Sequence, residues 1–354
     1  MKVFVLIGEL TEKHGWGRYS MDLIGALENH GVEIIFVENV LPDPLDYLKN
    51  YFLAPWYAWK LKKHAGKCDA VHAFLEPYSY IAYWLAKFIG KNYFITAHGT
   101  FGVLPFSFPF YKKYFHKRSF KGAEKIICVS NYTKRRIAEF GSYNLAVINN
   151  GINYRKFYHR GGAHNAEKRE NFILSVGALK YRKGYHVSIL AFANAKKIIN
   201  DLRYYIVGDQ SDSTYVNQLK RLVSDLSLQE SVVFLSSLSD NDLIELYKKA
   251  KLFMLLPVSE GNNFEGFGLV YLEANASGLP VIGSFDSGAE DAIKDGETGL
   301  LVPQNNPEAT AEAIAKIFEN GYVYKKMTEN GFAWAKDHDW GAVAGDYIKI
   351  YRSS

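Results

Sequence analysis

The chain has 354 residues, of which 48% are hydrophobic and 22% charged, and its net charge is +5. That length exceeds one ordinary hydrophobic core and points to two domains of about 150–200 residues, while the apolar content excludes a disordered chain. No apolar run reaches the roughly 18 residues that a bilayer-spanning helix needs. The two cysteines, Cys68 and Cys128, have neither metal-ligand spacing nor a disulfide framework, which points to a reducing, cytoplasmic compartment. The charge is uneven. Residues 1–170 hold 24 Lys and Arg against 14 Asp and Glu, net +10; residues 171–354 hold 18 against 23, net −5. A basic half suits an anionic partner.

The first half alternates short apolar runs with helical spacing. Residues 2–7 read as a buried strand, which argues against a secretory leader because charge follows at once. Helical spacing over 17–30 ends at Gly31, and 33–37 is a second strand. Strands follow at 70–74, 93–97, 125–129 and 145–148, with helices at 81–88 and 132–140. Residues 158–170 are polar and glycine-containing and read as a linker. The alternation then restarts, with strands at 172–176, 204–207, 232–235, 252–257, 280–282 and 299–302. Helices are expected at 185–198, 215–226, 240–250, 269–276, 289–293 and 307–319, and residues 323–352 read as a helical tail long enough to pack back. This is an α/β chain of two Rossmann-like parallel-sheet domains facing across a cleft, with ligands expected at the C-terminal strand edges. The expected division is 1–165, 166–330 and a C-terminal helix at 331–354 that packs on the first domain.

Several stretches carry chemistry. Residues 259–273 form a glycine-rich loop running into a helix, with Glu265 before Gly266 and Gly268, and Glu273 about two turns on. Such a loop exposes backbone N–H groups to an anion or a ring of hydroxyls. Gly15 lies in a second glycine loop, His14–Tyr19, which lacks the third glycine of the dinucleotide fingerprint; Glu38 alone does not make an NAD site. His98 ends a buried strand at a predicted ligand edge, followed by Gly99. Arg182 and Lys183 stand at the start of a helix, where cations oppose the helix dipole unless an anion is bound. Asn150-Gly151 reads as a tight turn. Asp240-Asn241-Asp242 reads as a helix N-cap with a first-turn acid, and Asp337-His338-Asp339 as structural, so no metal site is expected. There is no Gly-Lys-Ser/Thr phosphate loop and no Gly-x-Ser-x-Gly elbow. Two stretches, 47–63 and 106–121, mix aromatic and basic residues as interfacial membrane helices do. Nucleic-acid binders share the mixture, but the remainder of the chain has the look of a small-molecule enzyme.

Taken together the motifs resemble the retaining family-4 glycosyltransferases of the GT-B fold over nearly the whole chain. Glu265…Glu273 with Gly266-Phe267-Gly268 looks like that family's Glu-x7-Glu signature. Ala276–Ile282, Gly296–Val302, Val176-Gly177…Lys183-Gly184, Val207-Gly208 and Asn150–Asn153 follow in the family's order. The resemblance implies metal-independent transfer of a sugar from a nucleotide diphosphate sugar to a glycan or lipid-linked acceptor, with no other cofactor. It implies that Glu265 and the N–H groups of Gly266, Phe267 and Gly268 hold the donor sugar and that Glu273 binds the ribose. Lys183 with Arg182 would neutralise the diphosphate, Gly15 would touch phosphate, and His98 would sit near sugar and acceptor. The expected partners are the donor, the acceptor and a cytoplasmic membrane face reached through the basic aromatic half, with no nucleic acid. Two positions depart from the family pattern. Ala178 stands where an arginine is usual, leaving Lys180 or Arg182 to supply that charge, and His14 replaces the first of the paired glycines. A nucleotide-sugar epimerase and a catalytically silent nucleotide-sugar binding protein are the alternatives.

Overall fold

The computed structural model describes residues 1–11, 15–41, 47–158 and 169–353. Within these the chain forms two compact units, Met1–Gly151 with Asp339–Ser354, and Ile152–His338.

The first unit is built from β1 (Lys2–Ile7), α1 (Gly15–Asn29), β2 (Glu33–Glu38), α2 (Tyr47–Ala65), β3 (Ala70–Ala73), α3 (Ser79–Ile89) and β4 (Asn92–Ala97). It continues through α4 (Thr100–Val103), α5 (Phe110–Lys121), β5 (Lys125–Cys128), α6 (Asn131–Ala138) and β6 (Leu145–Val147). Its six strands lie in the order β2-β1-β3-β4-β5-β6, with every pair parallel. The central strands are mostly apolar because helices cover both faces; β1, β3 and the last five residues of β4 are almost wholly buried, with His72 and Thr96 as buried polar exceptions.

The second unit opens with a helical turn, α7 (Tyr154–Phe157), followed by β7 (Phe172–Val176), α8 (Tyr185–Lys196), β8 (Arg203–Val207), α9 (Ser213–Asp225) and β9 (Val232–Leu235). Then come α10 (Asp240–Lys249), β10 (Leu252–Met254), α11 (Leu269–Ala276), β11 (Val281–Ser284), α12 (Ala289–Ala292), β12 (Gly299–Val302), α13 (Pro307–Glu319) and α14 (Gly321–Asp337). The strand order is β12-β11-β10-β7-β8-β9, again all parallel. The chain winds to one side of β7 and then crosses to the other, so the sheet has its switch point between β7 and β10. In the first unit the switch lies between β1 and β3. These are the crevices where open α/β sheets bind ligands.

The last helix, α15 (Trp340–Arg352), belongs to the first unit. The tail is two helices and not one: it breaks at His338, and the Asp339 carboxylate caps α15 by accepting from the Gly341 N–H. The units part at Gly151, not at 165, and the chain returns at Asp339, not at 331. Residues 152–158 stay with the second unit because Ile152 N–H donates to His338 O and Phe157 packs on Tyr247. Most of the expected linker, 159–168, falls outside the described residues, but Arg169 at its end is buried. Its guanidinium donates to the carbonyls of Tyr247, Lys248 and Ala250 and, through Nη2, to Ser277 O. It thus closes the C-terminal ends of both α10 and α11, where a cation also suits the helix dipoles. The cap of α10 is Ser239, not Asp240: its hydroxyl accepts from the Asp242 N–H and donates to the Asp242 carboxylate. No helix among the described residues is long and apolar enough to cross a membrane.

In α15, Trp340, Val343, Ala344, Tyr347, Ile348 and Tyr351 complete the core formed by β1, β3 and α1. Tyr347 OH meets Tyr19 OH at 2.9 Å, and Tyr351 OH meets Nδ1 of buried His72 at 2.6 Å. Trp340 packs edge-on to Tyr19 and its indole N–H donates to Asp22. Replacing Trp340 with alanine is therefore expected to cost about 3–5 kcal/mol, seen as a lower urea midpoint for the first unit.

Candidate functional site

In the second unit the switch point is braced before any ligand is considered. Ser175 at the end of β7 bonds its hydroxyl to Met254 O at the end of β10. Tyr185 OH donates to Gly177 O, and Tyr271 OH donates to Leu255 O, each at 2.7 Å. The two strand ends are thus fixed by hydroxyls from the helices that follow them. Gly184 starts α8 with φ +68°, and a Cβ there would lie 1.7 Å from Leu256 O, so only glycine allows this approach.

Two loops leave this point. The loop after β7 passes through a 3₁₀ turn, Tyr181–Lys183, and the loop after β10 carries Glu265 into Gly268, the φ +90° residue that opens α11. Their side chains converge. Glu265 Oε2 lies 2.8 Å from Arg182 Nη1 and 2.5 Å from Lys183 Nζ. The carboxylate and the ammonium are nearly buried, whereas the guanidinium side chain keeps 33% exposure. Burial pushes the Glu265 carboxyl up, but Lys183 and Arg182 overcome it and pull the pKa down to about 2. Burial lowers the Lys183 ammonium below its ordinary value, opposed by the pull of Glu265. Of the two residues that could stand in for the arginine missing at Ala178, Arg182 reaches the cluster, while Lys180 is exposed.

The other loop residues take different places. Gly266, Phe267 and Gly268 are buried in the turn after Glu265. The Gly288 N–H donates to Glu265 O, and the Phe267 ring packs near His338. Glu273 is 3% exposed on α11 and accepts from Tyr247 OH at 3.0 Å. The two glutamates of the signature therefore have different partners: Glu265 faces cations, and Glu273 faces a tyrosine.

In the first unit Gly15 is the exposed first residue of α1; His14 lies outside the described residues. His98 stands at the end of β4, half-buried, with its ring edge-on to Tyr19 at 4.6 Å. Its Nε2 is 2.8 Å from Phe74 O. A carbonyl can only accept, so Nε2 carries the proton and Nδ1 is left as an acceptor. Burial lowers the imidazole to about 4, so it is neutral at neutral pH.

Sequence reasoning passed over Glu76, which lies just beyond β3 at the switch point of this unit. It is 1% exposed, and no ion pair joins it to a cation among the described residues. Its Oε1 accepts from the N–H groups of His98 at 2.6 Å and Gly99 at 3.3 Å, with a further backbone bond from Gly102. Its Oε2 has no partner among the described residues. Burial raises this carboxyl to about 7 against those backbone bonds. The sequence signal was thin: a lone acid in an otherwise apolar run, Phe74–Tyr80, next to a strand end.

Comparison with known proteins agrees with this frame. The profile for Glycosyl transferases group 1 matches residues 162–334, and that for Glycosyltransferase Family 4 matches residues 14–156. An uncharacterised glycosyltransferase of Methanocaldococcus jannaschii is 27% identical over 80% of this chain and 75% of its own length. The O-antigen chain mannosyltransferase of Salmonella typhimurium is 29% identical over 70% of this chain and 75% of its own. A GDP-mannose-dependent phosphatidylinositol monomannoside mannosyltransferase of Mycolicibacterium smegmatis is 30% identical over 61% of this chain and 58% of its own. Among solved structures, Anabaena HepE in complex with UDP and glucose superimposes with a TM-score of 0.78 at 18% identity, over all of both chains. The sucrose-phosphate synthase of Thermosynechococcus elongatus gives 0.79 at 21% identity, over 99% of this chain and 98% of its own. With two parallel-sheet units and both family profiles in sequence order, the chain belongs to the family-4 glycosyltransferases of the GT-B fold.

Proposed function

We propose that this glycosyltransferase moves a sugar, with retention of anomeric configuration, from a nucleoside diphosphate sugar to a hydroxyl of a glycan or lipid-linked acceptor. The observation that carries the reading is the Arg182–Lys183–Glu265 cluster at the switch point of the second unit. Two cations sit at a predicted ligand edge, and the acid they hold there is one that suits sugar hydroxyls. The named complexes of HepE with UDP and UDP-glucose support a donor of this class. The mannosyl- and inositol-phosphate glycosyltransferases among the relatives support transfer of a hexose.

On this reading the donor exchanges one ion pairing for another. Its diphosphate takes Lys183 and Arg182, and the released Glu265 carboxylate turns to the sugar hydroxyls, with the N–H groups of Gly266, Phe267 and Gly268 as further donors. Glu273, which accepts from Tyr247 OH, holds the ribose hydroxyls. The anomeric C–O bond breaks with its electron pair going to the β-phosphate oxygen. The acceptor oxygen bonds to the same carbon, and its proton passes to the departing phosphate. Charge grows on the diphosphate during this step, and two cations already in place stabilise it without a metal ion. Within the first unit, Gly15 offers a backbone N–H to an anion, and neutral His98 offers Nδ1 as an acceptor to a hydroxyl. The buried free thiols of Cys68 and Cys128 support a reducing, cytoplasmic setting.

Lys183→Ala is expected to lower kcat by roughly 10²–10³-fold, measured by nucleoside diphosphate release with an acceptor panel. Transfer should persist in EDTA, and the product's anomeric proton coupling should match that of the donor. An unchanged rate in Lys183→Ala, or inversion at the anomeric carbon, would remove the assignment.

Glu76 is assigned as a positioning residue for the His98–Gly99 turn, and its titration gives a signed test. Its folded pKa of about 7 lies above the ordinary value of 4.5, so the folded state holds the proton more tightly. Its contribution to stability is then full below about pH 4.5 and is lost as pH rises through 7. Glu76→Gln should therefore gain up to about 3 kcal/mol over wild type between pH 5 and pH 8, measured by urea denaturation at both values. The same variant should lose kcat, because an amide in place of the carboxylate weakens the bonds that hold the turn.

A further inference from the structure

Helices α2 and α5 each divide into an inner and an outer face. On α2 the inner face is Tyr51, Ala54, Ala58 and Ala65, all buried. On α5 it is His116, Ser119 and Phe120, also buried. The inner faces are joined by polar contacts: Tyr51 OH meets Tyr80 OH, and Tyr80 OH meets His116 Nδ1, while the Tyr51 and Phe115 rings stack at 5.3 Å. The fold thus accounts for the inner residues.

It does not account for the outer ones. Phe52, Trp56 and Trp59 recur at helical spacing along the solvent side of α2, with exposures of 71%, 47% and 57%. On α5, Phe110 is 84% and Tyr114 47% exposed. Large aromatics are rarely left in water in such a stripe unless a partner covers them. Cations lie among them. Lys60 Nζ sits 3.5 Å from the centre of the Trp56 ring, and Lys62 Nζ lies 5.4 Å from that of Trp59. Residues 47–65 and 110–121 together hold nine Lys and Arg and no Asp or Glu.

We propose that the outer faces of α2 and α5 are a docking surface for an anionic lipid bilayer. Rings of this kind enter the headgroup boundary, and long basic side chains beside them reach the lipid phosphates. Neither helix is long and apolar enough to span the bilayer, so the surface lies on the membrane. The complete absence of acids selects an anionic surface and argues against a second copy of this chain, since two such faces would repel. Against nucleic acid stands the arrangement of the rings, which line the side of a helix with lysines already seated on two of them. The surface brings the enzyme to a lipid-linked acceptor, and so deepens the proposed function, but it does not rest on the identity of the donor.

The test is flotation of the full chain with vesicles of phosphatidylcholine alone or mixed with phosphatidylglycerol. Binding is expected only to the mixture, to weaken with salt, and to fall at least about tenfold when Trp56 and Trp59 are both changed to serine or when Lys60 and Lys117 are both changed to glutamate. Brominated lipid should quench the tryptophan emission of the wild type, and the Trp56/Trp59 double variant should lose that quenching. These positions are exposed, so thermal melts of the variants should match the wild type. No flotation with phosphatidylglycerol at low salt overturns the proposal. So does equal flotation of the double tryptophan variant, a dimer that hides these tryptophans, or tight binding of a single-stranded oligonucleotide in place of vesicles. Flotation needs no turnover: a chain that floats but fails to transfer sugar leaves the surface standing, and active enzyme that fails to float leaves the proposed reaction standing.

Discussion

A nearly buried carboxylate held between a partly exposed guanidinium and a nearly buried ammonium is the constraint on which the second unit turns. Such a cluster is costly to assemble, because each charge loses water, and it holds only where geometry is fixed by something else. Here the fixing elements are neutral. Hydroxyls of Ser175, Tyr185 and Tyr271 tie together the ends of β7 and β10, and Gly184 lets α8 start against the Leu256 carbonyl. Arg169, at the far end of α10 and α11, fastens the helix that begins in the Glu265 loop. A frame built this way keeps two cations in place ahead of any anionic ligand.

The two units solve the same problem with opposite electrostatics. Each puts a buried glutamate at its switch point. Glu265 has cations beside it and is drawn far below the ordinary carboxylate range. Glu76 has backbone N–H groups as its partners among the described residues and is pushed up to about 7. Burial is comparable, so the neighbours decide the sign. A carboxylate with cationic partners is suited to exchanging them for a ligand. A carboxylate without them, wrapped around the His98–Gly99 turn, is suited to holding backbone.

The surface of the first unit follows a different rule from its core. The polar links among Tyr51, Tyr80 and His116 hold α2 and α5 in register from inside, while aromatics and lysines crowd the outside. A helix can carry both because its side chains repeat every 3.6 residues, so the two sets occupy separate stripes.

Local pattern alone determined much of this molecule. Alternating apolar runs and helical spacing located the strands and helices within a few residues, and 269–276, 299–302 and 307–319 match at both ends. The glycine loop with Glu265 and the basic pair Arg182-Lys183 were legible because loop chemistry is written in adjacent residues. Tertiary structure decided what lies far apart in sequence. That Arg182 and Lys183 face Glu265, more than 80 residues away, depends on β7 and β10 lying side by side across a crossover. That Glu273 pairs with Tyr247 and not with Glu265 depends on how α10 packs beside α11. Arg169 read as a linker residue because its four carbonyl partners are distributed over two helix ends. The division at Gly151 and Asp339 follows from α15 completing the core of the first unit while Ile152 and Phe157 are held in the second, and the break between α14 and α15 is marked by the Asp339 cap. Glu76 stayed hidden for the same reason: a lone acid in an apolar run acquires its partners only when β3 and β4 pair and the turn after β4 folds over it.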